Sequence, residues 1–269
     1  MATYLDAILR AHSARKAADD RDLTALTEAA RACPPPRGFA RALRASSGLP
    51  DRRGRSISVI AELKRRSPSQ GALALDLVPS VLAKTYASAG AACLSVLTDS
   101  EFFGGSAADL AEARSAVEVP VLRKDFTVGP ADVTDARLMG ADAVLLIVSA
   151  LRPEELVALV ELSRSVGIDA LVEVHDESEA QVALDAGADL VGVNQRDLTT
   201  FEVDRERAVR VAASLPDHVT RVAESGIRGH DDVVRLVDAG FDAILVGEAL
   251  VTAPDPAAAL AYLLEGFSC

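Results

Sequence analysis

The chain has 269 residues, 49% of them apolar, and a formal net charge of −12. That length suits one α/β barrel of about 250 residues better than two small domains. The acidic balance argues against nucleic acid and anionic membranes as partners, because phosphate-rich surfaces attract basic faces. A small anionic substrate is still compatible with it, since such a substrate needs only a local cluster of positive charge.

The sequence shows no pattern of a membrane span, a signal peptide or a cysteine metal site. No apolar run approaches the roughly 20 residues that span a membrane, and the start, Met-Ala-Thr-Tyr-Leu-Asp, lacks the pattern of a signal peptide. The cysteines Cys33, Cys93 and Cys269 are widely spaced and show no metal-ligand pattern. We therefore expect a cytoplasmic protein.

The N-terminal part is predicted to be helical. Tyr4–Ala18 and residues 25–32 have amphipathic patterns, and three prolines follow Cys33 and stop the second helix. We assign residues 1–50 to a helical extension and residues 51–269 to a barrel, together one domain, with Arg52 to Arg55 as a solvated linker. The extension either caps one barrel end for stability or covers the mouth of an active site, and both interpretations stay open.

A short sequence pattern recurs along the rest of the chain. A glycine ends a helix, as at Gly90, Gly140 and Gly167, and a short apolar run follows. Continuous apolar runs suit strands that are buried on both faces. Eight such runs lie near residues 57–63, 93–97, 120–123, 143–148, 170–174, 190–193, 221–223 and 243–246. They predict an α/β fold, a (β/α)₈ TIM barrel, with a doubly wound open sheet as the alternative.

Polar side chains gather where these strands end, which is where barrel enzymes place their active sites. Glu62 and Lys64 are predicted to face the same side of the first strand, and Glu173 ends an apolar strand. Lys64 and Lys124 are two of only four lysines, against 24 arginines, and an ammonium can donate a proton where a guanidinium cannot. Alternatively, these lysines merely pair with Glu62 and Asp125.

Glu173 emerges inside an apolar surround, which predicts a raised pKa and a general base. His175 is interpreted as structural, and His12, His218 and His230 as surface or helix-start residues. Glycines after the last two strands, in Ser225-Gly226-Ile227 and Gly247-Glu248-Ala249, fit a phosphate site. Each glycine alone is weak evidence, because helix ends also use glycine.

Taken together, these motifs resemble those of indole-3-glycerol phosphate synthases. The resemblance runs in order through residues 60–69 (IAELKRRSPS), 95–99 (SVLTD), 102–106 (FFGGS), 121–126 (VLRKDF), 171–175 (LVEVH), 192–198 (GVNQRDL), 223–227 (AESGI) and 245–250 (LVGEAL). Two departures are Gln195, where the family commonly has a second Asn, and Ala249, where many members have Ser. The second departure puts a hydroxyl contact to phosphate from that loop in doubt.

The resemblance implies conversion of 1-(2-carboxyphenylamino)-1-deoxyribulose 5-phosphate into indole-3-glycerol phosphate, a decarboxylating and dehydrating step of tryptophan biosynthesis. No metal or organic cofactor is implied, and other enzymes of that pathway are conceivable partners. The implied catalytic residues are Lys124, Glu173, Lys64 and Glu62. The implied substrate-binding residues are Ser67, Phe103, Phe126, Asn194, Arg196, Glu224 and Ser225, with Lys64, Gly226, Gly247 and Glu248 at the phosphate.

Three rival interpretations stay open at this stage. A phosphoribosylanthranilate isomerase would need a cysteine and an aspartate at strand ends, whereas Cys93 is predicted at the start of its strand. A catalytically idle phosphate-binding barrel should have lost Lys64, Lys124 or Glu173, and all three are present. A Schiff-base aldolase would use Lys124 as a nucleophile, and borohydride trapping would identify it.

Overall fold

A computed structural model describes residues 4–45, 56–197 and 199–267. Eight parallel strands close into a barrel in chain order, with the last strand paired to the first. They are β1 (Ser58–Leu63), β4 (Cys93–Leu97), β5 (Val121–Lys124), β6 (Ala143–Ile147), β7 (Asp169–Val174), β8 (Leu190–Asn194), β9 (Thr220–Glu224) and β10 (Ala243–Val246). The predicted (β/α)₈ barrel is confirmed, and the open sheet is excluded.

The helices alternate with these strands and enclose them. They are α4 (Pro79–Ser88), α5 (Ser100–Phe103), α6 (Ala107–Ala116), α7 (Pro130–Leu138), α8 (Pro153–Val166), α9 (Glu177–Asp185), α10 (Arg207–Ala212), α11 (His230–Asp238), α12 (Glu248–Val251) and α13 (Pro256–Leu263), with one 3₁₀ turn at Val148–Ala150. The predicted helix-ending glycines do end helices: Gly167, for example, has φ 86° directly after α8.

Alternate residues of each strand point to two different cores. Ile60, Leu122 and Leu171 fill the barrel interior, while Val59, Val121 and Val172 pack outward against the helices. All six residues of β1 are buried, so its apolar run is continuous rather than alternating. Glu62, Lys124 and Glu173 lie two residues beyond Ile60, Leu122 and Leu171, which directs their side chains to the interior.

The N-terminal extension contacts both ends of the barrel. It comprises α1 (Tyr4–Ala18), α2 (Leu23–Ala32) and α3 (Phe39–Ala45). Leu5 and Ile8 of α1 line the mouth at the carboxyl ends of the strands. Phe39 and Leu43 of α3 pack with the interior residues nearest the opposite end. The two interpretations of the extension therefore apply to different helices: α1 covers the mouth, and α3 closes the other end.

Several local features differ from the sequence-based expectations. Helix α2 begins at Leu23, two residues early, because the Asp22 carboxylate accepts a hydrogen bond from the Thr24 amide. Helix α3 was not predicted, nor was the short hairpin of β2 (Arg66–Ser67) and β3 (Gly71–Ala72). The predicted linker at residues 52–55, the boundary at residue 50, Leu198 and Cys269 lie outside the described residues.

His12 was wrongly expected at the surface. It is buried on the inner side of α1, with Nε2 3.0 Å from Asp99 Oδ2 and 3.8 Å from Asp125 Oδ1. Since both aspartates follow barrel strands, this contact holds α1 against the mouth.

Among the described helices, none is long and apolar enough to cross a membrane.

Candidate active site

A cavity of about 420 Å³ opens at the carboxyl ends of the barrel strands. Every residue that the sequence assigned to the site lines it. They are Glu62, Lys64, Ser67, Phe103, Lys124, Phe126, Glu173, Asn194, Arg196, Glu224, Ser225, Gly226, Gly247 and Glu248. These residues come from seven of the eight strand ends, so closure of the barrel is what brings them together.

Lys124 lies at the centre of the charged groups. Its Nζ is 3.0 Å from Glu173 Oε2 and 2.6 Å from Glu224 Oε2, and both carboxylates are buried. Burial alone would lower the pKa of Lys124, but the charges of Glu173, Glu224 and Glu62 outweigh it and raise that pKa. Lys124 is therefore an ammonium at neutral pH.

The alternative pairing of Lys124 with Asp125 is wrong. Asp125 instead accepts hydrogen bonds from Arg123 Nη2 at 3.0 Å and from the Thr98 hydroxyl. Adjacent residues of a strand point to opposite faces, so Lys124 faces the interior while Arg123 faces away from it and binds Asp125. The other suggested pair does form: Lys64 Nζ is 2.6 Å from Glu62 Oε1.

The two carboxylates beside Lys124 have opposite protonation tendencies. Burial alone would raise the pKa of Glu173, but Lys124, His175 and the hydrogen bond from Asn194 Nδ2 to Oε1, 3.0 Å long, lower it. Burial, together with the charges of Glu173 and Glu62, outweighs Lys124 and raises the pKa of Glu224 to about 7. The raised pKa expected for Glu173 was therefore wrong, and the shift falls on Glu224.

Two glycines make room for the buried carboxylates. A Cβ on Gly192 would lie 2.1 Å from Glu224 Oε1, and a Cβ on Gly247 would lie 2.4 Å from Glu62 Oε1. Neither distance is compatible with non-bonded contact. Each of these positions must therefore lack a side chain if the facing carboxylate is to keep its place.

Gly192→Ala is expected to lower kcat by about 10–10²-fold, because the Glu224 carboxylate must move away from Lys124. The buried overlap should also cost about 1–3 kcal/mol of unfolding free energy. Steady-state kinetics and thermal unfolding measure both effects. Gly229→Ala is the matched control, since a Cβ there meets Tyr262 at an ordinary 3.4 Å. A wild-type kcat for Gly192→Ala would contradict the prediction.

Two loops after β9 and β10 form the rim of the cavity. Ser225 and Gly226 have successive left-handed conformations, with φ 65° and 72°. The Gln195 side chain supports this turn by donating to the Ser225 carbonyl at 2.7 Å. Glu248 lies 3.7 Å from Arg196, measured between Oε2 and Nη2, so its carboxylate faces a guanidinium.

An aromatic wall faces the charged groups. The ring centroids of Phe103 and Phe126 are 6.2 Å apart, and His12 lies behind Phe126 at 5.5 Å. Sequence reasoning missed further lining residues, namely Tyr4, Leu5, Ile8, Phe201 and Arg228. Leu5 and Ile8 are spaced as one helix face, which signals burial but not against what. Nothing in the sequence marks Phe201.

Comparison with known proteins shows the family of the chain. The family model described as "Indole-3-glycerol phosphate synthase" matches residues 5–263. A protein of that name from Streptomyces griseus is 51% identical over 225 residues, 84% of each chain. Another from Parafrankia is 53% identical over 88% of this chain and 85% of its own. One from Mycobacteroides abscessus is 49% identical over 97% of this chain and 94% of its own.

Solved structures agree on the fold. A 3-hexulose-6-phosphate synthase superposes with a TM-score of 0.63 at 16% identity, covering 79% of this chain and all of its own. A thiamine phosphate pyrophosphorylase from Pyrococcus furiosus superposes with a TM-score of 0.59 at 18% identity, covering 83% and 97%. At such identities these similarities concern architecture alone. On the family match and the relatives near 50% identity, the chain belongs to the indole-3-glycerol phosphate synthase family.

Proposed function

We propose that the barrel mouth closes the indole ring of 1-(2-carboxyphenylamino)-1-deoxyribulose 5-phosphate, giving indole-3-glycerol phosphate, carbon dioxide and water. The chain is a lyase of tryptophan biosynthesis by its family. The observation that supports the chemistry most directly is the Lys124 ammonium, held between two buried carboxylates and exposed only to the cavity. An ammonium so placed is a proton donor at the centre of the charged groups of the cavity.

Lys124 is the acid of the ring-closing step in this proposal. As the anthranilate ring carbon attacks the ketone, the ketone oxygen becomes an alkoxide, which is far more basic than an amine. Proton transfer from Lys124 is therefore favourable even though neighbouring carboxylates raise its pKa. The same charge argues against a Schiff-base aldolase, because imine formation needs a neutral amine.

Glu173 is the base. It is an anion at neutral pH, and its Oε2 lies 3.0 Å from Lys124 Nζ, so it stands beside the acid. Carbon dioxide leaves from the ring carbon that formed the new bond, which restores the aromatic ring. Glu173 stabilises the iminium charge that develops on the substrate nitrogen, and it accepts a proton as the hydroxyl departs.

Lys64 is the second cation of the mouth. Its contact with Glu62 holds it beside the cavity, which it lines. We assign it to the substrate carboxylate or phosphate before ring closure, and to proton donation when water leaves. Glu62 orients it and accepts a hydrogen bond from the Ser95 hydroxyl at 3.3 Å.

The remaining residues hold the substrate. Phe103 and Phe126 form the wall for the anthranilate ring, and Asn194 and Arg196 contact its carboxylate and the sugar hydroxyls. Ser67, Glu224 and Ser225 complete the pocket. The phosphate lies at Gly226 and Gly247, where the backbone can approach an oxyanion closely. Glu248 contributes through its backbone, since its carboxylate faces Arg196.

An isomerase with a catalytic cysteine is disfavoured. Cys93 is the first residue of β4, is fully buried, and lies near the carbonyl of Phe39, 3.8 Å from Sγ, at the end opposite the cavity. A thiol there cannot reach a substrate bound at the carboxyl ends of the strands.

The proposed function predicts steady-state turnover of the carboxyphenylamino-deoxyribulose phosphate by the purified protein without added metal or cofactor. Indole fluorescence that appears on ring closure measures it. Absence of turnover by folded protein that still binds a substrate analogue would indicate an idle phosphate-binding barrel. Absence of binding as well would contradict the assignment of the substrate.

A further inference from the structure

His175 lies directly behind Glu173, outside the residues assigned to the substrate. It follows the last residue of β7, and its ring is largely buried. Its Nδ1 is 3.0 Å from Glu179 Oε2, and its Nε2 is 3.6 Å from Glu173 Oε1. The Glu179 carboxylate also accepts the His175 backbone amide at 2.8 Å, so both ends of the contact are fixed.

Both ring nitrogens thus face carboxylate oxygens. A neutral imidazole carries one proton, so one nitrogen would direct a lone pair at an oxygen, which is repulsive. The imidazolium carries protons on both nitrogens and presents one to each carboxylate. Nε2 is buried and has no hydrogen-bond partner among the described residues, so the Glu173 oxygen 3.6 Å away is the group that its charge faces. The geometry therefore favours a positively charged His175.

The other charges near His175 agree with this conclusion on balance. Burial opposes the charged ring, but Glu179 and Glu173 outweigh burial and raise the pKa of His175. Arg207, the first residue of α10, is the opposing cation, and Asp176 at the start of α9 is a further anion. Lys124 lies on the far side of Glu173.

We propose that His175, held by Glu179, is a positioning residue that decides which of the two carboxylates flanking Lys124 takes up a proton. Its charge lies against Glu173 and not against Glu224, so the proton goes to Glu224 and Glu173 stays an anion. The Asn194 hydrogen bond to the same oxygen of Glu173 acts in the same direction. This inference rests on the proposed function, in which Glu173 is the base.

As a consequence, Glu173 stays available as a base. Without His175, Glu173 and Glu224 would share one proton, and Glu173 would be protonated for part of the time. Two interacting carboxylates titrate as a pair, and their common proton resides on whichever site the surroundings favour. Without the charge on His175, part of that proton population moves from Glu224 to Glu173. Activity then falls on the acid side of the titration, although the fold and the substrate contacts are intact.

The test is the pH dependence of kcat in His175→Asn and Glu179→Gln, with His218→Asn as the matched histidine control on an exposed loop. We expect the wild type and the control to keep nearly constant kcat between pH 8 and pH 6. His175→Asn should fall about 2–10-fold between those pH values and recover at pH 8, and Glu179→Gln should change in the same direction. Flat profiles in both variants, whatever their thermal stability, would overturn the proposal.

Two further measurements keep the result unambiguous. Nitrogen NMR of the four histidines in the wild-type protein reads the ring directly and does not depend on a variant that folds. Protons on both His175 nitrogens at pH 7 are expected, and a neutral tautomer at pH 6 would overturn the proposal. Glu173→Gln separates the two claims: near-normal turnover in that variant would contradict the assignment of the base itself, not the role of His175.

Discussion

Replacing Lys124 with methionine is expected to lower kcat by about 10²–10⁴-fold, because the ring-closing step loses its proton donor. The side chains are similar in length, so the change removes charge rather than volume. KM should change much less than kcat, since Lys64 and Arg196 still supply positive charge. Lys84→Met, on the exposed face of α4, is the matched control and should be fully active. A kcat within a few-fold of wild type would contradict the assignment of Lys124.

The same substitution should make stability depend on pH in a defined direction. Without Lys124, Glu173 and Glu224 form a buried pair of like charges, and the pKa of that pair rises above the ordinary value for glutamate. A folded-state pKa above the unfolded value means that the folded protein holds the proton more tightly. The variant is then most stable at low pH and loses stability as pH rises through the folded pKa. Thermal unfolding at pH 6 and pH 8 should therefore show a larger deficit at pH 8.

Glu173→Gln is expected to lower kcat by about 10²–10⁴-fold at every pH, because an amide cannot accept the proton that the carboxylate takes. The amide keeps the size of the side chain and can still accept from Asn194, so the fold should be retained. Losing the negative charge also lets the pKa of Glu224 fall, because Glu173 is one of the groups that raise it.

Single-turnover and steady-state kinetics together show whether substrate binding or the chemical step accounts for the lower kcat. We expect substrate binding close to wild type and a slow chemical step. Glu177→Gln, on the exposed surface of α9, is the matched control. If substrate affinity rather than the chemical step carried the whole loss, Glu173 would be a binding residue and not the base.

The fold was predictable because barrel strands have a strong local signal. Each is a short continuous apolar run, five of the eight follow a helix-ending glycine, and the predicted and observed strands agree at all eight positions. Helix α1 was also predicted with its observed limits, Tyr4–Ala18. Helix α3 was missed because its seven residues are too few for a clear helical period. Its place is set by packing in the barrel end.

The sequence predicts which residues form the site, but not how their charges pair or which of them are protonated. Residues at strand ends must meet once a barrel closes, so Lys64, Lys124 and Glu173 could be grouped from the sequence. Which carboxylate pairs with Lys124 depends on distances across the barrel to residues 49 and 100 positions away. The pKa of Glu173 depends on its burial and on Lys124, and further on His175 and Asn194. No local pattern contains this information, and for that reason the raised pKa was assigned to the wrong glutamate.

The position of α1 has a consequence for the order in which the protein is assembled. Tyr4 packs edge-on against both Phe102 and Phe201, although it is made about 200 residues before Phe201. At ordinary rates of synthesis the first helix waits roughly 10–40 s for that partner. A nascent chain can thus form the first strands of its barrel before α1 has all of its contacts at the mouth. A fragment that ends before β9 would also lack Glu224, one of the two carboxylates that contact Lys124.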